Sequence, residues 1–133
     1  MLGRLNHVAI AVTDLKSATN TYRDILGAKV GEPLDQPEHG VTVVFIELPN
    51  TKVELITPLG ENSPISNFLN KNKNGGIHHI CYEVKNLELS INILMKNNYK
   101  IIGDNPKIGA HGKPVIFLHP SGFDGTLIEL QEE

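Results

Sequence analysis

An internal repeat constrains this fold more than any other feature of the sequence. Aligning "NHVAIAV" on "HHICYEV" pairs His7 with His79, 72 residues later. The strand segments "KVELI" and "TLIEL" likewise set Glu54 against Glu129, 75 residues later. Two chemically matched pairs at nearly one period, with the difference absorbed in loops, imply a duplicated unit.

The content of that unit follows from periodicity. In "LNHVAIAV", Val8, Ile10 and Val12 fall on one face of a strand and read as core, while His7, Ala9 and Ala11 fall on the other and read as the lining of a cleft. "TDLKSATNTYRDILG" opens with Asp14 as N-cap, places Leu15, Ala18, Tyr22, Ile25 and Leu26 on one helical stripe and closes at Gly27. A short strand "AKVGE" and a hairpin of "VTVVFIEL" and "KVELIT" around "PNT" complete the first half. The linker "PLGENSPISNFLNKNKNGG" carries Ser63 and Pro64 to start a brief helix. Beyond it the order recurs: strand "IHHICYEV", helix "NLELSINILMKNN" capped by Asn86 with Leu87, Ile91, Leu94 and Met95 on its stripe, then strands near Lys100, "PVIFLHP" and "GTLIEL". The expectation is a single α+β domain over residues 1–133, made of two β-α-β-β-β modules at about 1–58 and 77–133 joined by a linker at 59–76.

In such a duplicate, His7, Glu54, His79 and Glu129 occupy like strand positions. If the two sheets form one curved surface, they meet in a shared cleft. Two carboxylates buried there would each cost several kcal/mol, and a divalent cation removes that cost. Two nitrogens and two oxygens suit cobalt, manganese, nickel or zinc. No short metal motif of the H-E-x-x-H kind is present, so the duplicated placement carries the assignment. Within the doubled histidine, His79 shares a face with Cys81 and matches His7. His78 shares the core-facing row with Ile80 and Tyr82, and reads as a supporting residue.

Bulk properties narrow the function further. A length of 133 residues suits one compact unit, and a formal net charge of -3 offers no field for nucleic acid or an anionic membrane. The single cysteine, Cys81, forms no internal disulfide, and the first residues lack an apolar export signal, so a cytoplasmic protein is expected. The loop "PKIGAHGKPVIFLHPSGFDG", rich in glycine and proline, suits the rim of a site for a long anionic ligand, with Lys107, His111 and Lys113 as candidate contacts.

The segments "LNHVAIAVTDLKSATNTYRDILGA", "NTKVELITPLGENSPISNFL", "GGIHHICYEV" and "GAHGKPVIFLHPSGFDGTLIEL" resemble the methylmalonyl-CoA epimerase family of the vicinal oxygen chelate superfamily. The first is shared across that superfamily, glyoxalase I included, while "ELITPLGENSPI" and "GAHGKPVIFLHP" are much more specific to the epimerases. The resemblance covers nearly the whole chain. It implies two βαβββ modules forming a curved-sheet cleft around one divalent metal, a homodimer, and interconversion of (2R)- and (2S)-methylmalonyl-CoA. It carries the metal ligands to His7, His79 and Glu129, with Glu54 where some relatives have glutamine. Stabilising an enolate by metal chelation and moving a proton between two faces fits the chemistry, with Glu129 as ligand and acid/base group. Some members carry a glutamate where this chain has Val43. Glu47, on the same alternation face, is the substitute for that opposite-face group. Ser121 stands where many relatives have lysine after "HP". The rival readings are a glyoxalase I-type lactoylglutathione lyase, whose usual "DPDGY" ending differs from "HPSGFDGTLIEL", and a small-molecule-binding module that has lost the metal.

Overall fold

A computed structural model describes all residues, Met1–Glu133, and resolves into two compact units, one made of Met1–His7 with His79–Glu133 and the other of Val8–His78. The boundaries cut through two strands, β1 (Leu2–Ala11) and β6 (Gly76–Val84), instead of falling in the linker. The architecture is α+β, as the repeat predicts, and no helix is long and apolar enough to cross a membrane.

In the unit Val8–His78, β2 (Lys29–Val30), β4 (Val41–Glu47), β5 (Lys52–Pro58) and the end of β1 lie side by side in that order, and β3 (Leu34–Gln36) also pairs with β4. Val44, Ile46 and Leu55 form one buried cluster beneath Leu15, Ala18 and Tyr22 of the helical segment. Asp14 caps α1 (Leu15–Asn20) by accepting from the Ser17 amide at 3.0 Å. The predicted stripe ends early, because residues Thr21–Ile25 form a π turn in which the Leu26 amide donates to the Thr21 carbonyl at 3.0 Å. Widening the turn by one residue rotates the following side chains off the stripe, so Ile25 and Leu26 are 79% and 64% exposed.

Ala9 and Ala11 also differ from expectation. They do not line a cleft, since both are fully buried with Val41, Val43, Ile56 and Ile65 and are covered by Phe68 of α2 (Pro64–Lys71). Ser63 caps that helix and Pro64 occupies its first turn, as the sequence predicts. Gly75 closes the linker for two reasons. Its φ is 81°, and a Cβ would stand 2.4 Å from the Ala11 carbonyl oxygen.

In the other unit the order is β1, β6, β9 (Ile128–Glu132), β8 (Pro114–Leu118), β7 (Ile101–Ile108). β6 and β9 run parallel, whereas β9, β8 and β7 are successively antiparallel. α3 (Leu87–Lys96), capped by Asn86 Oδ1, contributes Leu87 and Leu94 to a core with Val84, Ile116, Leu118, Ile128 and Leu130. Met95, expected on its apolar stripe, is exposed. Burying Ile128 and Leu130 on one face of β9 sends Glu129 and Gln131 to the other.

Candidate metal centre

Strand register assembles the site. Cys81 of β6 and Phe117 of β8 both lie opposite Glu129 of β9. His79, two residues before Cys81, therefore shares their face. His7 reaches the same place from β1. Glu129 Oε2 lies 3.2 Å from His7 Nε2 and 2.9 Å from His79 Nε2, and the two Nε2 atoms are 3.2 Å apart. All three residues are buried.

Three ligand atoms converging in a buried place suit a cation. Donors bonded at about 2.1 Å to a first-row metal stand about 3.0 Å apart across an octahedral edge and about 3.4 Å across a tetrahedral one, close to the observed 2.9–3.2 Å. The donor chemistry agrees, two imidazole nitrogens and a carboxylate oxygen matching first-row divalent ions. Cys81 Sγ, His7 and Glu129 also form a group whose ligand atoms lie within 4.8 Å of one another. Sequence reading placed Cys81 on the correct face without noticing that proximity.

Burial pushes the Glu129 carboxyl toward its neutral form, but hydrogen bonds from His7 and His79, with their charges, outweigh burial and lower it from 4.5 to about 2. The site thus holds a carboxylate at any ordinary pH. The Phe117 ring meets His79 edge-on, with centroids 5.2 Å apart and planes at 89°. Above Glu129 the chain passes as Gly109, whose missing side chain is a spatial requirement. A Cβ there would stand 2.8 Å from Val115 Cγ1 and 3.7 Å from Glu129 Oε1.

The other candidates are distributed unevenly. His111 lies near the cluster, its ring centroid 5.6 Å from that of His7 and its Nδ1 3.1 Å from Gln131 Oε1. Lys113 Nζ donates to the Glu133 carbonyl at 2.9 Å, and Lys107 is exposed on β7 opposite Val115. Glu54 is buried in β5 opposite Phe45. Glu47 is exposed at the end of β4, opposite Lys29 and Lys52. His78 packs on Phe68 at 5.1 Å, away from the His79 face, as alternation predicts. Sequence reading missed Asn6 and Glu83. Asn6 accepts from His7 and donates to Glu83, and its only sequence signal is adjacency to a candidate ligand.

Comparison with known proteins places the chain. A family model described as glyoxalase/bleomycin resistance protein/dioxygenase superfamily matches residues 6–117. The ethylmalonyl-CoA/methylmalonyl-CoA epimerase of Cereibacter sphaeroides is 60% identical over 133 residues, covering 99% of each chain. The mitochondrial methylmalonyl-CoA epimerase of Bos taurus is 57% identical over 131 residues, 98% of this chain and 75% of that one. A Streptomyces coelicolor methylmalonyl-CoA epimerase variant in complex with 2-nitronate-propionyl-CoA superposes with a TM-score of 0.92 at 27% identity, covering 100% of this chain and 99% of that one. With its duplicated modules, its buried histidine and carboxylate donors and these relatives, the chain belongs to the glyoxalase/bleomycin resistance protein/dioxygenase superfamily, the vicinal oxygen chelate fold.

Proposed function

We propose that the protein is a methylmalonyl-CoA epimerase, interconverting the (2R) and (2S) forms by removing and returning the C2 proton. The observation that carries this reading is the full-length similarity to acyl-CoA epimerases, and the His7, His79 and Glu129 donors supply matching chemistry. A divalent cation held by these three residues supplies Lewis-acid stabilisation of charge developing on the substrate's oxygens. Glu54, which the repeat matches to Glu129, is proposed as a fourth donor.

The chain's own groups do the rest. Oε2 of Glu129 is the oxygen turned toward the two imidazole nitrogens, which leaves Oε1, beneath Gly109, as the oxygen that takes the C2 proton. Phe117 fixes the plane of His79 and helps exclude water. Inversion needs a group on the other face of C2, a role assigned to Glu47. His111, oriented by Gln131, meets the polar acyl end of the substrate, while Lys107 and Lys113 meet coenzyme A phosphates. The active species is proposed to be a homodimer, for which light scattering should give twice the chain mass of 14.6 kDa.

The test is incubation of one methylmalonyl-CoA epimer with protein and cobalt(II) in deuterated water. Deuterium enters C2 as the epimers equilibrate. No exchange, with turnover of the glutathione hemithioacetal instead, would replace this reading with glyoxalase chemistry.

A further inference from the structure

A histidine binds a metal only through a nitrogen that carries a lone pair, so something must decide which nitrogen of His7 keeps its proton. Asn6 Nδ2 lies 2.9 Å from Glu83 Oε1, and Asn6 Oδ1 lies 2.7 Å from His7 Nδ1. Only one assignment satisfies this chain. The Glu83 carboxylate is purely an acceptor, so the amide must turn its NH2 toward it. That leaves Oδ1 facing His7, and an amide oxygen is itself purely an acceptor. Nδ1 must therefore carry a proton, which makes Nε2, the atom aimed at His79 and Glu129, the nitrogen that can give a lone pair to a metal. We infer that Asn6 and Glu83 are positioning residues that hold a proton on His7 Nδ1, so that Nε2 is the nitrogen presented to a metal, and thereby set the metal affinity of the site.

The arrangement is well placed to hold. Asn6 is buried, so its hydrogen bonds are poorly replaced by water. Glu83 lies on the same strand as His79 and Cys81, and by alternation on the same face. β6 thus delivers one ligand directly and orients another through Asn6. The sequence separation of Asn6 and Glu83 is 77 residues, so the contact exists only in the folded protein. Groups that hold the far nitrogen of a ligating histidine commonly control affinity about 10–100-fold. The inference rests on the proposed metal role of His7, but the tautomer itself can be read without metal.

The experiment pairs two measurements at one pH. Two-bond 1H–15N correlation in the metal-free protein reports the His7 tautomer, and calorimetric titration with cobalt(II) reports affinity. Wild type carries a proton on His7 Nδ1. Asn6→Ala loses that preference and binds cobalt about 10–100-fold more weakly, with its fold checked by circular dichroism. The paired change Asn6→Asp with Glu83→Gln reverses donor and acceptor between those two residues while keeping an acceptor at Nδ1, so both tautomer and affinity return toward wild type. A His7 Nδ1 without a proton in wild type overturns the inference, as does unchanged affinity in Asn6→Ala or failure of the paired change to rescue it. Absence of cobalt binding by wild type would sink the metal reading instead, and the tautomer measurement would still decide the role of Asn6.

Discussion

Replacing Gly109 with alanine tests whether the loop over Glu129 is set by space alone. The φ of Gly109 lies outside the left-handed region, so the added methyl brings no intrinsic backbone strain. Its difficulty is Val115, with Cγ1 at 2.8 Å and Cγ2 at 3.4 Å from the new Cβ. Carbon atoms prefer about 3.5–4.0 Å, so one contact is short by most of an ångström. Val115 cannot easily yield, being buried in the middle of β8 with a stiff, β-branched χ1. The loop is held as well, because the Gly109 amide donates to the Lys113 carbonyl at 2.9 Å and its carbonyl accepts from Gly112 at 3.0 Å. Overpacking of this kind costs about 1–3 kcal/mol, equivalent to a melting temperature lower by about 3–12 °C for a chain of this size. Urea unfolding measures the loss. Val115→Ala alone is destabilising because it opens a cavity, but it also removes the clashing methyls. The two changes together should therefore be less harmful than their sum by about 1 kcal/mol or more. A Gly109→Ala protein within about 0.5 kcal/mol of wild type, or strictly additive effects, would refute the spatial argument.

Three further outcomes are expected. His79→Ala abolishes cobalt binding measured by calorimetry, whereas His78→Ala keeps it and loses only its edge contact with Phe68; equal loss from both would show that the strand register is wrong. Because the Glu129 carboxyl sits at about 2 when folded and 4.5 when unfolded, its contribution is fully present above pH 4.5 and is lost as the pH falls toward 2. That contribution is about 3 kcal/mol, so in chelator-treated protein the stability gap between wild type and Glu129→Gln narrows across this window, and a constant gap would remove the linkage. Glu47→Gln, if Glu47 serves the opposite face of C2, slows deuterium exchange by at least about 100-fold; wild-type exchange in that variant removes Glu47 from the mechanism.

The meeting of His7, His79 and Glu129 was legible because a repeat places like residues in like strands, and strand alternation fixes which neighbour faces which side. The same alternation separated His79 from His78. It misled at Ala9 and Ala11, since facing the His7 side of β1 does not imply an open cleft when α2 covers that stretch. It could not register the π turn at Thr21–Ile25, whose backbone pairing leaves no mark on a period of 3.6 residues. Asn6 and Glu83 were invisible for a different reason. Their meeting depends on the exact pairing of β1 with β6, and neither residue type is distinctive when read alone.

The placement of β1 also bears on how the chain acquires its site. Met1–His7 belongs with His79–Glu133, although residues 8–78 intervene. Completing that unit requires the chain's first residues to find a strand made much later, and closing a loop of that length costs about 4 kcal/mol of entropy beyond the fixed term. The first half is already synthesised by then, so His7 waits for its partners. A fragment spanning residues 77–133 retains His79 and Glu129 but lacks His7, Asn6 and the strand that carries them. Although the sequence looks like two tandem copies, neither copy contains the whole cluster, and cutting the chain at its linker would part His7 from His79 and Glu129.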